Sequence, residues 1–209
     1  MPVGAIIIEP IQNSGGAVSF PVRSQVEAAG QTYYAGTPVQ VRATDGGVIA
    51  WAGTGGGVTG VIAGFAAEMA ANLSTTGQGA PQGFTPVLGP GSIIGSYTAN
   101  PNQSLATITP PGVPINDGRT RFWVPSPTTV FIGKLGNAGN PAATAQTQVG
   151  ASYGLTIDTN NYWYVDLAKT TVGTNTCVTV VGLDPRDMVG TIGGRVWFTV
   201  VPSAAQLLS

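Results

Sequence analysis

Between residues 153 and 166 the chain gathers Tyr153, Asp158, Tyr162, Trp163, Tyr164 and Asp166 around the turn-forming run Thr159-Asn160-Asn161. Two carboxylates flanking one turn are the minimum set for glycoside hydrolysis, one as acid and the other as base or nucleophile. The neighbouring rings would suit a sugar-stacking platform. Both features also have a structural reading, and it is the stronger one. Asp158 before Thr-Asn-Asn is a residue type that turns favour, since its carboxylate accepts a backbone N–H two residues on. The rings have more reason to pack in a core or an interface than to bind a ligand. Tyr153, Asp158, Asn160, Asn161, Trp163 and Asp166 are therefore expected to form a structural hairpin. In "LDPRD", Asp184 and Asp187 have the same look, because Asp184-Pro185 starts a turn.

The remaining chemical inventory is thin. The chain has no histidine, which removes the commonest general base and zinc ligand. Its single cysteine, Cys177, lies in the apolar alternation "TCVTVVGL" and reads as a buried thiol. The Gly-rich "GTGGGVTG" of residues 53–60 lacks the Lys and Ser/Thr of a phosphate-binding loop and reads as a flexible hairpin loop. "NLS" at 72–74 and "NQS" at 102–104 match glycosylation sequons, but they carry little weight without a secretion signal. No catalytic residue, cofactor or metal site is expected.

Charge is the outlying number. Only 8% of the 209 residues are Asp, Glu, Lys or Arg, against about 25% in an ordinary soluble domain. With a formal net charge of −1, the exterior must consist largely of Gly, Thr, Asn, Gln and Ser. Such a surface suits a chain that spends its life assembled, with much of its exterior covered. The eight basic residues are scattered, so no phosphate-tracking patch exists and nucleic acid is not an expected partner. No apolar run reaches the length of a membrane span. The opening "MPVGAIIIEP" lacks the basic region of a signal peptide.

Hydrophobic residues make up 43% of the chain, and 31 glycines with 16 prolines punctuate it. Those proportions fit a compact fold of short strands and many turns. An arm carrying Ile6, Ile7 and Ile8 precedes the alternation "AVSFPV", read as a first strand. "GTPVQVRATDGGVIAWAG" is a hairpin around Asp45-Gly46-Gly47, where glycine supplies the positive φ of a tight turn. In "VTGVIAGFAAEMAANL" the first half favours a strand, and Ala66 to Asn72 could make two helical turns. Residues 76–118 are rich in Gly and Pro and carry no charge before Asp117; so long a loop tends to be functional or interface-forming. From Arg119 onward "RFWV", "TTVFIGKL", "ASYGLTI", "YWYVDL", "TCVTVVGL" and "GRVWFTVV" are six short β runs at sandwich or barrel spacing. Several, "VWFTVV" among them, are apolar on both faces, which implies burial on both sides or in an interface. The predicted fold is all-β: an antiparallel sandwich or barrel, jelly-roll-like or similar, with an extended arm and a long loop. Three segments are expected: 1–75 with the arm and hairpin, 76–118 as a loop or interface excursion, and 119–209 as a β-domain, the alternative being that 119–209 and 20–75 form one continuous domain.

The order of these elements resembles that of tailed-phage capsid cement, or head decoration, proteins. The stretch "AGQTYYAGTPVQVRATDGGVIAWAGTGGGVTGVIAGFAAEMAAN" resembles their opening, with a "G-x-P-V" strand, a hairpin and a "G-x-A-x-E" segment. "TTVFIGKL", "QVGASYGLTIDTNNYWYVDL" and "VTVVGLDPRDMVGTIGGRVWFTV" resemble their C-terminal half. The likeness spans more than half of the chain, in the right order, although each motif alone is mostly β grammar.

The resemblance implies a non-enzymatic virion protein, made in the host cytoplasm and bound to the outside of the capsid. Its partners would be the major capsid protein, whose subunits it bridges, and copies of itself, as a trimer. Ile6, Ile7 and Ile8 of the arm, or else the 76–118 loop, are the expected capsid contacts; an extended arm can add a strand to an exposed sheet edge. Rival expectations are a tail-associated or receptor-binding module recognising a glycan through Tyr162, Trp163 and Tyr164, and a glycosidase using Asp158 and Asp166. The shell-forming major capsid protein itself is disfavoured, since its usual folds need a long helix.

Overall fold

The computed structural model describes residues 7–13, 20–28, 31, 33–44, 46–53, 61–68, 70, 119–171 and 175–206. The expectations for Ile6 and for 76–118 fall outside them. The described chain is all-β, a closed five-stranded barrel joined to a second antiparallel sheet, as the sequence pattern predicts. Its strands are β1 (Glu9–Asn13), β2 (Val22–Val26), β3 (Pro38–Val41), β4 (Val48–Ala50), β5 (Gly64–Ala66), β6 (Arg119–Trp123), β7 (Thr129–Asn137), β8 (Asn140–Pro141), β9 (Ser152–Ile157), β10 (Trp163–Asp166), β11 (Val178–Leu183) and β12 (Arg195–Val200).

Strand β7 organises the barrel, which runs β7–β10–β9–β11–β12 and closes from β12 back to β7. Closure leaves none of the five as a free edge. Every barrel pairing is antiparallel except β7 with β10, which is parallel, with Tyr164 opposite Lys134 and Asp166 opposite Gly136. The sequence pattern predicts only antiparallel neighbours. The parallel pair arises because β9 and β10 form a hairpin whose second arm, not the first, meets β7.

Strand β12 explains how an apolar run can face a barrel on one side only. Val196, Phe198 and Val200 point inward and are buried, whereas Arg195, Trp197 and Thr199 are only partly buried. "VWFTVV" is thus buried on one face, with Trp197 lying partly covered on the other.

The smaller sheet is ordered β2–β6–β5–β3–β4. A parallel bridge from Glu27, just beyond β2, to Val48 of β4 draws its two ends together. Glu27 is buried there and accepts a hydrogen bond from the Tyr33 hydroxyl (3.3 Å). The predicted hairpin forms between β3 and β4, with Gly46 at φ +71°; Asp45, the first residue of the expected turn, lies outside the described residues. Ala66 closes β5 and residues 67–68 bend, so the helical expectation fails over those three residues. Strand pairing with β3 and β6 outweighs local helix propensity there.

The two sheets share a core. Phe65 of β5 packs on Phe131 of β7 (ring centroids 4.6 Å apart) and on Phe198 of β12 (6.1 Å). The barrel core includes Leu135, Leu155, Val165, Val178, Val180 and Val196 beside Trp51 and Ile62 of the N-terminal half. Gln206 adds a clamp at the C-terminal end: its amide accepts from Val41 N and donates to Val41 O, both at 2.7 Å. β6 belongs to the smaller sheet, pairing with β2 and β5 of the 20–75 stretch, and β1 pairs with β7.

The N-terminal segment is not a free arm. β1 pairs antiparallel with β7, Glu9 opposite Ile132, and Ile8 is buried in the barrel core at 1% exposure. As a capsid contact Ile8 is ruled out by that burial, because its side chain already fills its own core. Ile7, one residue earlier, faces outward at 37% exposure. The two adjacent residues, just ahead of β1, therefore face opposite ways.

Candidate binding surface

In the 149–170 hairpin each carboxylate is occupied with holding backbone. Asp158 Oδ1 accepts from the backbone N–H groups of Asn160 (2.8 Å) and Tyr162 (2.9 Å). Asn161 takes the left-handed conformation, at φ +65°, which asparagine tolerates better than most residues. The loop Thr159-Asn160-Asn161 then closes with Asp158 N donating to Tyr162 O. Asp158 Oδ2 is buried and has no hydrogen-bond partner among the described residues.

Asp166, 3% exposed, accepts from Ala138 N (2.9 Å) and Ala168 N (3.0 Å) through Oδ1, and from the Thr156 hydroxyl (2.7 Å) through Oδ2. It fastens the end of β10 to the turn between β7 and β8.

The aromatic residues divide. Trp163 is buried against Trp51, with centroids 5.5 Å apart. Tyr164 is 1% exposed and its hydroxyl accepts from Gly139 N (2.8 Å). Burial, then the nearby Asp166, pushes the Tyr164 phenol above its ordinary pKa. Tyr153 packs against the barrel core from its edge. Tyr162 alone of the four stays at a surface recess. Burial pushes the Cys177 thiol up to about 12, so at neutral pH it is not a thiolate nucleophile. Among the described residues no cluster of His, Cys, Asp or Glu could hold a metal ion, and no helix is long and apolar enough to cross a membrane.

Among the described residues, the most exposed large apolar side chains lie elsewhere, in the 184–194 loop joining β11 to β12. Met188 is 81% exposed, Val189 65% and Ile192 74%. The backbone that carries them is tied down from both sides. Asp184, 1% exposed, accepts from the Arg186 backbone (2.9 Å) and its guanidinium (2.6 Å from Nη2), with Arg195 Nε at 3.3 Å. Asp187 takes both arms of Arg195, Nε and Nη2, at 2.9 Å, and the Arg195 backbone N–H at 2.7 Å.

The Arg195 bonds hold the Asp187 carboxyl down at about 2, and the Arg186 bonds lower that of Asp184. Across the loop the Thr144 hydroxyl donates to Met188 O (3.0 Å) and accepts from Gly190 N (3.1 Å). Gly190 N also donates to Thr144 O, Thr191 N to Met188 O, and Gly193 N to Ala142 O. Three apolar side chains therefore stand in water on a backbone already ordered for contact, so little further entropy is lost when a partner covers them.

A recess of about 450 Å³ opens at the tip of the β9–β10 hairpin, lined by Ile7, Tyr34, Ala35, Asn160 and Tyr162. Three separate stretches of chain make its walls. The described lining carries no charged side chain.

No family model, curated protein or solved structure matches this chain.

Reading the sequence missed the 184–194 loop and Tyr34. The signal in the sequence was "DMVGTIGG", apolar residues spaced by glycines with no strand alternation to bury them. Asp184 and Asp187 drew attention as turn formers, but their arginine partners are what turn the segment into a rigid display.

Proposed function

We propose that this protein is a structural component of a virion that binds the outer face of the capsid and bridges major capsid protein subunits. The observation that carries the reading is the 184–194 loop, where Met188, Val189 and Ile192 project into solvent from a pinned backbone. Large apolar side chains grouped in one exposed loop, rather than scattered singly, are a mark of an interaction site. The scarcity of charge fits the same reading, as does the resemblance in the order of motifs. The contact would be made through shape, apolar burial and backbone bonds, with little dependence on salt. The binding unit is a homo-oligomer, a trimer by that resemblance. No catalytic step, cofactor, nucleic acid or membrane enters the proposal.

The test is co-sedimentation of the purified protein with undecorated capsids of the virus that encodes it. Burying one such side chain stabilises a contact by about 1.5–3 kcal/mol. The triple variant Met188→Ser/Val189→Ser/Ile192→Ser should therefore lose well over tenfold in affinity, with an unchanged circular dichroism spectrum. Undiminished occupancy by the folded variant would refute this site.

A further inference from the structure

We propose that the recess at the β9–β10 hairpin tip is a binding site for a neutral carbohydrate, distinct from the apolar loop and independent of the capsid reading. The sequence pattern alone would place such a site on Tyr162, Trp163 and Tyr164. Trp163 and Tyr164 are buried, and the ring that joins Tyr162 comes from a distant part of the chain. Tyr34, 52% exposed, lines the recess from the turn before β3, with Ala35 beside it.

Each wall is held in place before any ligand arrives. Gly36, at φ +81°, lies so close to Ile7 and the Ile8 backbone N that a Cβ there would collide with them. Its N–H donates to Ala66 O (2.7 Å), and Thr37 N donates to Tyr34 O (3.2 Å). On the opposite wall, Asp158 fixes the backbone of Asn160 and Tyr162.

The chemistry of the lining selects the ligand class. The described lining residues carry no charged side chain, so they offer no counter-charge to an anionic or cationic ligand. Two phenol rings, Ile7 and Ala35 offer apolar surface to the C–H face of a sugar ring. Asn160 is exposed and brings both a donor and an acceptor. A sugar hydroxyl also donates and accepts, matching both ends of the Asn160 amide, whereas the prolines of a proline-rich segment have no N–H to give its oxygen. A volume near 450 Å³ lies within the range of small-ligand pockets, enough for one or two sugar rings.

The experiment is saturation-transfer NMR on the full-length protein, using a panel of neutral methyl glycosides and disaccharides together with a proline-rich peptide. Saturable binding of at least one sugar is expected, weakened roughly tenfold or more by Tyr34→Ala and by Asn160→Ala. Met188→Ser should leave it unchanged. Both replaced side chains are exposed, and amide chemical-shift maps would verify that each variant remains folded. Three results would overturn the proposal: no saturation transfer to any sugar, binding that persists undiminished in a folded Tyr34→Ala/Asn160→Ala variant, or capture of the peptide alone.

Discussion

Replacing Asp187 by Asn tests whether an ion pair orders the apolar loop. Asp187 and Arg195 are joined through two guanidinium bonds and one backbone bond, and their side chains are only 16% and 19% exposed. The carboxyl sits at about 2, against an ordinary value of 3.8. At about 1.4 kcal/mol for each tenfold change in proton affinity, that difference corresponds to roughly 2 kcal/mol. Residual solvent screening at the protein surface brings the net contribution nearer to about 1 kcal/mol. A carboxyl depressed by folding stabilises the native state at every pH above its unfolded value of about 3.9, and that contribution fades as pH falls toward 2. Asp187→Asn should therefore lower the melting temperature by about 2–4 °C at pH 7. The gap from the parent protein should shrink steadily between about pH 4 and pH 2. Calorimetry across that range, with capsid co-sedimentation at neutral pH, gives both readouts. A deficit that stays constant down to pH 2 would refute the ionic origin of the pairing. Unchanged melting together with unchanged capsid affinity would refute the idea that this pair orders the loop.

Other substitutions probe the scaffold. Phe65→Ala removes the ring that joins the two sheets and should destabilise the fold by about 3–5 kcal/mol in urea titrations. Gly64→Ala would drive a methyl into the Trp123 carbonyl oxygen and the Phe122 ring, lowering stability by about 1–3 kcal/mol or more and reducing soluble yield. Asp158→Ala strips two backbone N–H groups of their acceptor and should reduce stability by about 2 kcal/mol, whereas Thr159→Ala should be nearly silent. Cys177, with its thiol held at about 12, should resist thiol reagents in the native protein and react promptly in denaturant, which mass spectrometry would follow.

Local rules account for much of what was legible in advance. Aromatic and β-branched runs between turn residues mark β6, β7 and β9 to β12, because a half-buried strand needs that alternation whatever it pairs with. The turns at Gly46-Gly47 and Asp158-Thr159-Asn160-Asn161 were legible for the same kind of reason, since their bonds span only a few residues. The role of Asp158 as a backbone acceptor followed directly. Ile6 to Ile8 looked like one apolar unit in the sequence. Strand pairing with β7 instead buries Ile8 and leaves Ile7 half-exposed.

The sequence by itself determined an all-β chain with few charges, no histidine and two self-contained hairpin turns, because composition and short-range bonds depend only on neighbours along the chain. The tertiary structure decided which strand meets which: the parallel β7–β10 pair, the closure of β12 onto β7 and the docking of β1. Those choices also decided exposure. Val178 and Val180 are buried while Val189 stands in water, although the residue type is the same. Burial depends on what lies across the barrel, and that is settled only when strands distant in sequence come together. For the same reason Tyr34 and Tyr162 meet at one recess with nothing in their local sequence to announce it.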